Sequence, residues 1–154
     1  MSGETRFEGP VQRDAAGGYV VLPFDPAPGW GERDVYRIGG TANGQRWRGL
    51  VQPADGEWRV RLTPMWMRDC GLEGATNALF VVHLEGPQRA DLDPDFAQAL
   101  AAEPGAAAFW DNLAQFYRKA YLTWISGTKR RPDERACRIA ETVRLLKAGV
   151  KARP

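Results

Sequence analysis

Residues 106–138 read AAAFWDNLAQFYRKAYLTWISGTKRRPDERACR, an aromatic helical stripe that runs into a cationic elbow with a second helix just beyond. Apolar side chains recur at Phe109, Trp110, Leu113, Phe116, Tyr117, Ala120, Tyr121, Trp124 and Ile125. Steps of three and four place them on one face of a helix. Asp111, Asn112, Gln115, Arg118 and Lys119 fall on the other face. A single helix from Ala106 to Ile125 would be roughly 30 Å long. Gly127 is a plausible stop. Pro132 suits the first position of the next helix, with Asp133 and Glu134 favourable beside its positive end. Ala136, Ile139, Ala140, Val143, Leu146 and Val150 continue a second stripe, which Gly149 would end.

Upstream, the pattern changes from helical to alternating. Phe7 to Arg13 and Tyr19 to Pro23 flank a turn at 15–18 and read as strands. Val35 to Gly40 and Arg46 to Gln52 flank Asn43-Gly44, a dipeptide that tolerates the positive φ of a tight hairpin. Glu57 to Leu62 alternates cleanly, and Ala78 to Leu84 is nearly all apolar, as a central strand would be. These six short, mostly antiparallel strands predict a small barrel. Pro87 to Asp95 reads as a linker, with Asp93 a helix cap and Pro94 in the first turn. The expected fold class is α+β: a small antiparallel six-stranded β-barrel over residues 1–86, then an α-helical module of two to three helices over residues 87–154. The long aromatic helix is expected to cover apolar surface of the barrel or of the helical hairpin.

Length and composition suit a soluble protein: 154 residues, 44% apolar and 26% charged. No apolar run approaches a membrane span. MSGETRFEG lacks the apolar core of a secretory signal, so a cytoplasmic location is expected. Net charge is +2 but uneven. Residues 129–154 hold nine Lys/Arg against three Asp/Glu, and residues 1–128 hold twelve against sixteen. Such a basic tail can meet nucleic acid, a membrane surface or an acidic partner, or it can be a solvated helix face.

The residues argue against several chemistries. His83 is the one histidine, in an apolar strand, and is expected to be a packed core side chain. With it and two lone cysteines, Cys70 and Cys137, no Cys/His zinc cluster can be assembled. Of the two serines, Ser2 and Ser126, neither has nucleophile-elbow context. Asp91, Asp93 and Asp95 alternate like a calcium loop, but Phe96 and Ala102 stand where glycine and glutamate are needed, so helix capping is expected. No cofactor and no catalysis are expected. Two clusters suit binding. Arg37, Arg46, Arg48, Arg59 and Arg61 lie on adjacent strands around Trp47, as on barrels that grip single-stranded nucleic acid; alternation turns Trp47 to the opposite side, and pairing with Asp55, Glu57 and Glu73 is the plainer reading. Tyr117, Tyr121 and Trp124 precede Lys129, Arg135 and Arg138, a combination that suits an anionic ligand or acidic protein surface. Packing of those rings and ion pairing of those arginines is the alternative.

GYVVLPFD (residues 18–25), the strand–Asn-Gly–strand unit, PDFAQALAAEPGAAAFWDNL (94–113), YLTWI (121–125) and RACRI (135–139) together resemble the YdeI/OmpD-associated, bacteriocin-protection-like family. The resemblance spans nearly the whole chain and is most specific in the C-terminal half. It implies a small barrel of unknown function joined to a helical module, in a bacterial protein with a stress- or envelope-related role and no established activity. Tyr121, Trp124 and Ile125 match the family's aromatic helix, Lys129 its lysine, and Arg135, Arg138 and Ile139 its final motif. Thr128 stands where alanine is usual, and Glu134 where threonine is usual.

Overall fold

The computed structural model describes residues 3–74 and 76–154; Ser2 lies outside them. The chain forms two compact units, residues 1–85 and 86–154.

Among the described residues, the first unit holds one sheet of seven strands: β1 (Thr5–Pro10), β2 (Gln12–Asp14), β3 (Gly17–Val21), β4 (Tyr36–Ala42), β5 (Gln45–Ala54), β6 (Glu57–Leu62) and β7 (Asn77–Leu84). The order is β1-β7-β4-β5-β6-β3-β2, and every pairing is antiparallel. The expected six strands become seven because Phe7 to Arg13 divides at Val11. The segment before Val11 pairs with β7 and the segment after it with β3. The two edge strands are therefore consecutive parts of the chain, which is how the sheet curls toward a barrel. Short helices α1 (Ala27–Trp30) and α2 (Pro64–Asp69) sit in the connections.

Two tight turns set the register of the middle strands. Asn43 and Gly44 have φ of 48° and 80°, and Asp55 and Gly56 have 52° and 79°, the positive values of two-residue hairpins. The inward face is apolar: Phe7, Val20, Ile38, Trp47, Val51, Val60, Phe80 and Val82 belong to one buried cluster. Its rings pack edge-on or stacked, Phe7 with Phe80 at 4.9 Å and Trp47 with Phe80 at 5.0 Å. His83 is a correction. It is exposed on β7, opposite Gly39 of β4, because strict alternation turns it away from the core that Val82 enters.

The second unit comprises a 3-10 turn (Arg89–Asp91) and helices α3 (Pro94–Ala101), α4 (Pro104–Asn112), α5 (Gln115–Ser126) and α6 (Pro132–Lys147). The single 20-residue helix is not formed. It breaks at Leu113 and Ala114, whose ψ values of 141° and 150° are extended. The break re-phases the stripe. Trp110 and Leu113 stay buried, but Phe116 is 76% exposed and Ala120 is exposed, while Arg118, Tyr121 and Ile125 turn inward. The rings close on their own unit: Trp110, Leu113, Tyr121 and Ile125 share a core with Phe96, Leu100, Ile139, Val143 and Leu146.

Candidate functional site

Arg118 explains how the break is tolerated. It is 2% exposed, and its guanidinium donates to the Asp111 and Pro87 carbonyls, both at 2.9 Å. One of these carbonyls lies in the last turn of α4, where backbone acceptors lack helical partners. The cation also lies 5.7 Å from the centre of the Trp110 ring. The sequence signal was misleading here, because the helical phase assigned Arg118 to the solvent face.

Six residues mark the elbow in the sequence, and they have separate roles; Tyr117 is half-buried against the helical core. Tyr121 is buried, its hydroxyl donates to the Val150 carbonyl at 2.8 Å, and burial raises its pKa. Trp124 is half-buried, with the guanidinium carbons of Arg138 and Arg153 at 5.0 and 4.2 Å from its ring centre. Arg138 donates to the Trp124 carbonyl at 2.6 Å and to Glu134 at 3.1 Å. It thus caps the C-terminal end of α5, where a cation is favoured. Arg135 points elsewhere, toward the start of α3. It forks onto both Asp95 oxygens at 2.7 and 2.9 Å and reaches Asp93 at 3.1 Å. That contact lowers the Asp95 pKa. Asp93 occupies the cap position of α3 but caps no backbone group, because its carboxylate serves Arg135. Asp91 does act as a cap, accepting from the Gln88 amide at 2.9 Å. Lys129 is exposed and shares a shallow depression of about 410 Å³ with Asp93, Asp95 and Arg135.

The turn between α5 and α6 is pinned from inside. Thr128 is fully buried and its hydroxyl donates to the Ile125 carbonyl at 2.7 Å. Lys129, Arg130 and Arg131 follow it and are all exposed. Arg131 pairs with Glu134 at 2.7 Å; among the described residues, no ion pair involves Lys129 or Arg130. Thr128 thus holds the turn, and Glu134 joins Arg131 to Arg138.

Residues 89–149 match the OmdA family model, described as Bacteriocin-protection, YdeI or OmpD-Associated. The matched segment is 61 of the 154 residues, and it is that segment which is similar to this family. The match lies within the helical unit and includes none of the sheet. No curated protein matches the chain.

In the helical unit, then, three adjacent exposed cations lie on the turn, and Arg135 and Arg138 of α6 are engaged with neighbouring elements. On the sheet, Trp47 is 1% exposed and faces the core, away from the arginines of its own strand. Arg59 is held by Asp14, Glu57 and Asp55 at 2.8, 2.8 and 3.1 Å. Arg61 shares Asp14 at 2.8 Å, and both guanidiniums lie over the Tyr19 ring, at 4.4 and 5.6 Å. Both cysteines are free, Cys70 buried and Cys137 exposed. Among the described residues, no group of three His, Cys, Asp or Glu side chains is placed to hold a metal ion, and no helix is long and apolar enough to cross a membrane.

Proposed function

We propose that the OmdA-type unit is a binding module that docks an acidic protein surface through the α5–α6 turn. The observation that carries this reading is the exposed run Lys129-Arg130-Arg131 held on the buried Thr128 anchor. An exposed turn with three adjacent cations suits a protein face better than a small anion. The depression next to it is lined by Asp93 and Asp95 as well as Lys129 and Arg135, so its charges balance and it offers a small anion no net attraction. Arg135 and Arg138 orient the turn from α6 and do not themselves reach for the partner. Tyr121 and Trp124 are its supporting floor. The family description speaks of OmpD association and bacteriocin protection, and a protein partner is in keeping with it. The module binds and does not catalyse. The exposed free thiol of Cys137 suits a reducing, cytoplasmic compartment.

The test reverses the charge. Partners cross-linked to the full chain in lysate are compared with those of a Lys129→Glu, Arg130→Glu, Arg131→Glu variant of equal melting temperature. The acidic partners should be lost, and the wild-type interaction should weaken steeply with salt because exposed charges are screened within about 10 Å at 0.1 M. An unchanged partner set would remove this reading.

A further inference from the structure

A second feature lies on the sheet and involves none of the turn. Residues pointing outward from neighbouring strands line up across the sheet. Ile38 pairs with Leu84, so Arg37 stands beside Glu85, whose amide donates to the Arg37 carbonyl at 2.9 Å. Arg37 pairs with Leu50, and Arg61 pairs with Tyr19. Val51 pairs with Val60, and one step along that register sets Leu50 against Arg61. The result is a row, Glu85–Arg37–Leu50–Arg61–Tyr19, in which a leucine is flanked by two arginines. Arg48 lies two residues before Leu50 on the same face. It reaches Glu85 at 2.9 Å across Gly39, which has no side chain to obstruct it.

This row forms a depression of about 370 Å³, lined by Arg37, Arg48 and Arg61 together with Leu50, Thr63 and Trp66. Glu85 is the one carboxylate in the lining. The lining thus sets three guanidiniums beside one carboxylate, Glu85, which pairs with Arg48, while Asp14 pairs with Arg61 from outside it. Arg61 is fixed in place by Asp14 and by Gln52, at 2.8 and 3.3 Å, so little conformational freedom remains for a ligand to remove. Leu50 and the half-buried Trp66 ring supply the apolar part. We infer that the sheet unit binds a small organic anion with a flat apolar body, its anionic group held by Arg37, Arg48 and Arg61 and its body against Trp66 and Leu50.

The surroundings favour a small molecule over a nucleic-acid strand. A strand needs a continuous track of unneutralised cations. Here the neighbouring Arg59 is surrounded by Asp14, Asp55 and Glu57. The volume also lies near the lower end of the roughly 300–1,000 Å³ typical of small-ligand pockets.

The experiment titrates the full chain with adenosine monophosphate, benzoate and inorganic phosphate at low salt, reading amide chemical shifts. At least one organic anion should saturate, with shifts centred on Leu50 and Trp66, and phosphate should bind about tenfold or more weakly. An Arg37→Gln, Arg48→Gln variant should lose about tenfold or more in affinity for that anion, since charged hydrogen bonds carry it. A Trp66→Leu variant should narrow the gap between the organic anion and phosphate. Melting temperatures confirm that each variant is folded. The inference is overturned if no organic anion saturates up to about 10 mM, if the folded arginine variant binds as well as wild type, or if only a single-stranded oligonucleotide binds.

Discussion

Gly40 shows how much one residue can carry. Its φ is +146°, and a Cβ built there would lie 2.1 Å from the Val81 carbonyl oxygen. The obstacle is backbone of the paired strand β7 and cannot move aside. Gly40→Ala is therefore expected to unfold the sheet unit or lower its melting temperature sharply, whereas Gly44→Ala, with open space around it, should cost only the strain of its positive φ. Asp14 carries a different effect. Its hydrogen bond from Arg61 first, then that from Arg59, outweighs burial and lowers its pKa from 3.8 to about 2. A carboxylate with a depressed folded-state pKa stabilises the protein above its unfolded value and loses that contribution as pH falls through the folded one. Wild type should therefore be more stable than Asp14→Asn above pH 4, and the difference should vanish towards pH 2. Urea midpoints of both proteins across that range measure it; a constant difference would show that Asp14 acts through something other than its charge.

At the scale of elements, the β4–β5 hairpin and the α4–α5 break are the informative cases. Asn43 combines a φ of 48° with a side chain that accepts the Leu79 amide at 2.7 Å, so it shapes the turn and ties it to β7. Asn43→Pro should break the hairpin, because proline cannot take positive φ and lacks the amide that donates to Leu79. Circular dichroism of the variant should show loss of strand signal. The Asn-Gly dipeptide made this turn legible in the sequence. The break at Leu113 was not legible: Leu113 and Ala114 carry no helix-breaking chemistry, and the apolar steps run through them without interruption. What stabilises the break is Arg118, bound to carbonyls at residues 87 and 111, a set of contacts that only folding brings together. The two tryptophans on either side of the break then differ. Trp110 is fully buried and Trp124 is not. Trp110→Ala should cost about 3–5 kcal/mol, and Trp124→Ala clearly less, as thermal melts of the two variants will show.

Over the whole molecule, each unit has its own buried cluster, one built on the sheet and one on the four helices. Chains 1–85 and 86–154 made separately are each expected to fold, with a cooperative melt for both; an unfolded helical fragment would mean its core is not sufficient alone. The α+β class, the strands and the Asn-Gly turn followed from the sequence, because alternation, helical periodicity and turn chemistry are local properties written in neighbouring residues. So did the identity of the cationic residues at the elbow. Their grouping did not. Arg135 and Arg138 are three apart, yet one turns to Asp95 of α3 and the other to the end of α5. Trp66 and Glu85 drew no notice in sequence, and they become neighbours of Arg37 and Arg48 only across the sheet. Local pattern determined the fold class, the Asn-Gly turn and where most strands lie. Which charge meets which partner was decided by the tertiary structure, since a side chain's electrostatic partner depends on distances that chain order does not encode.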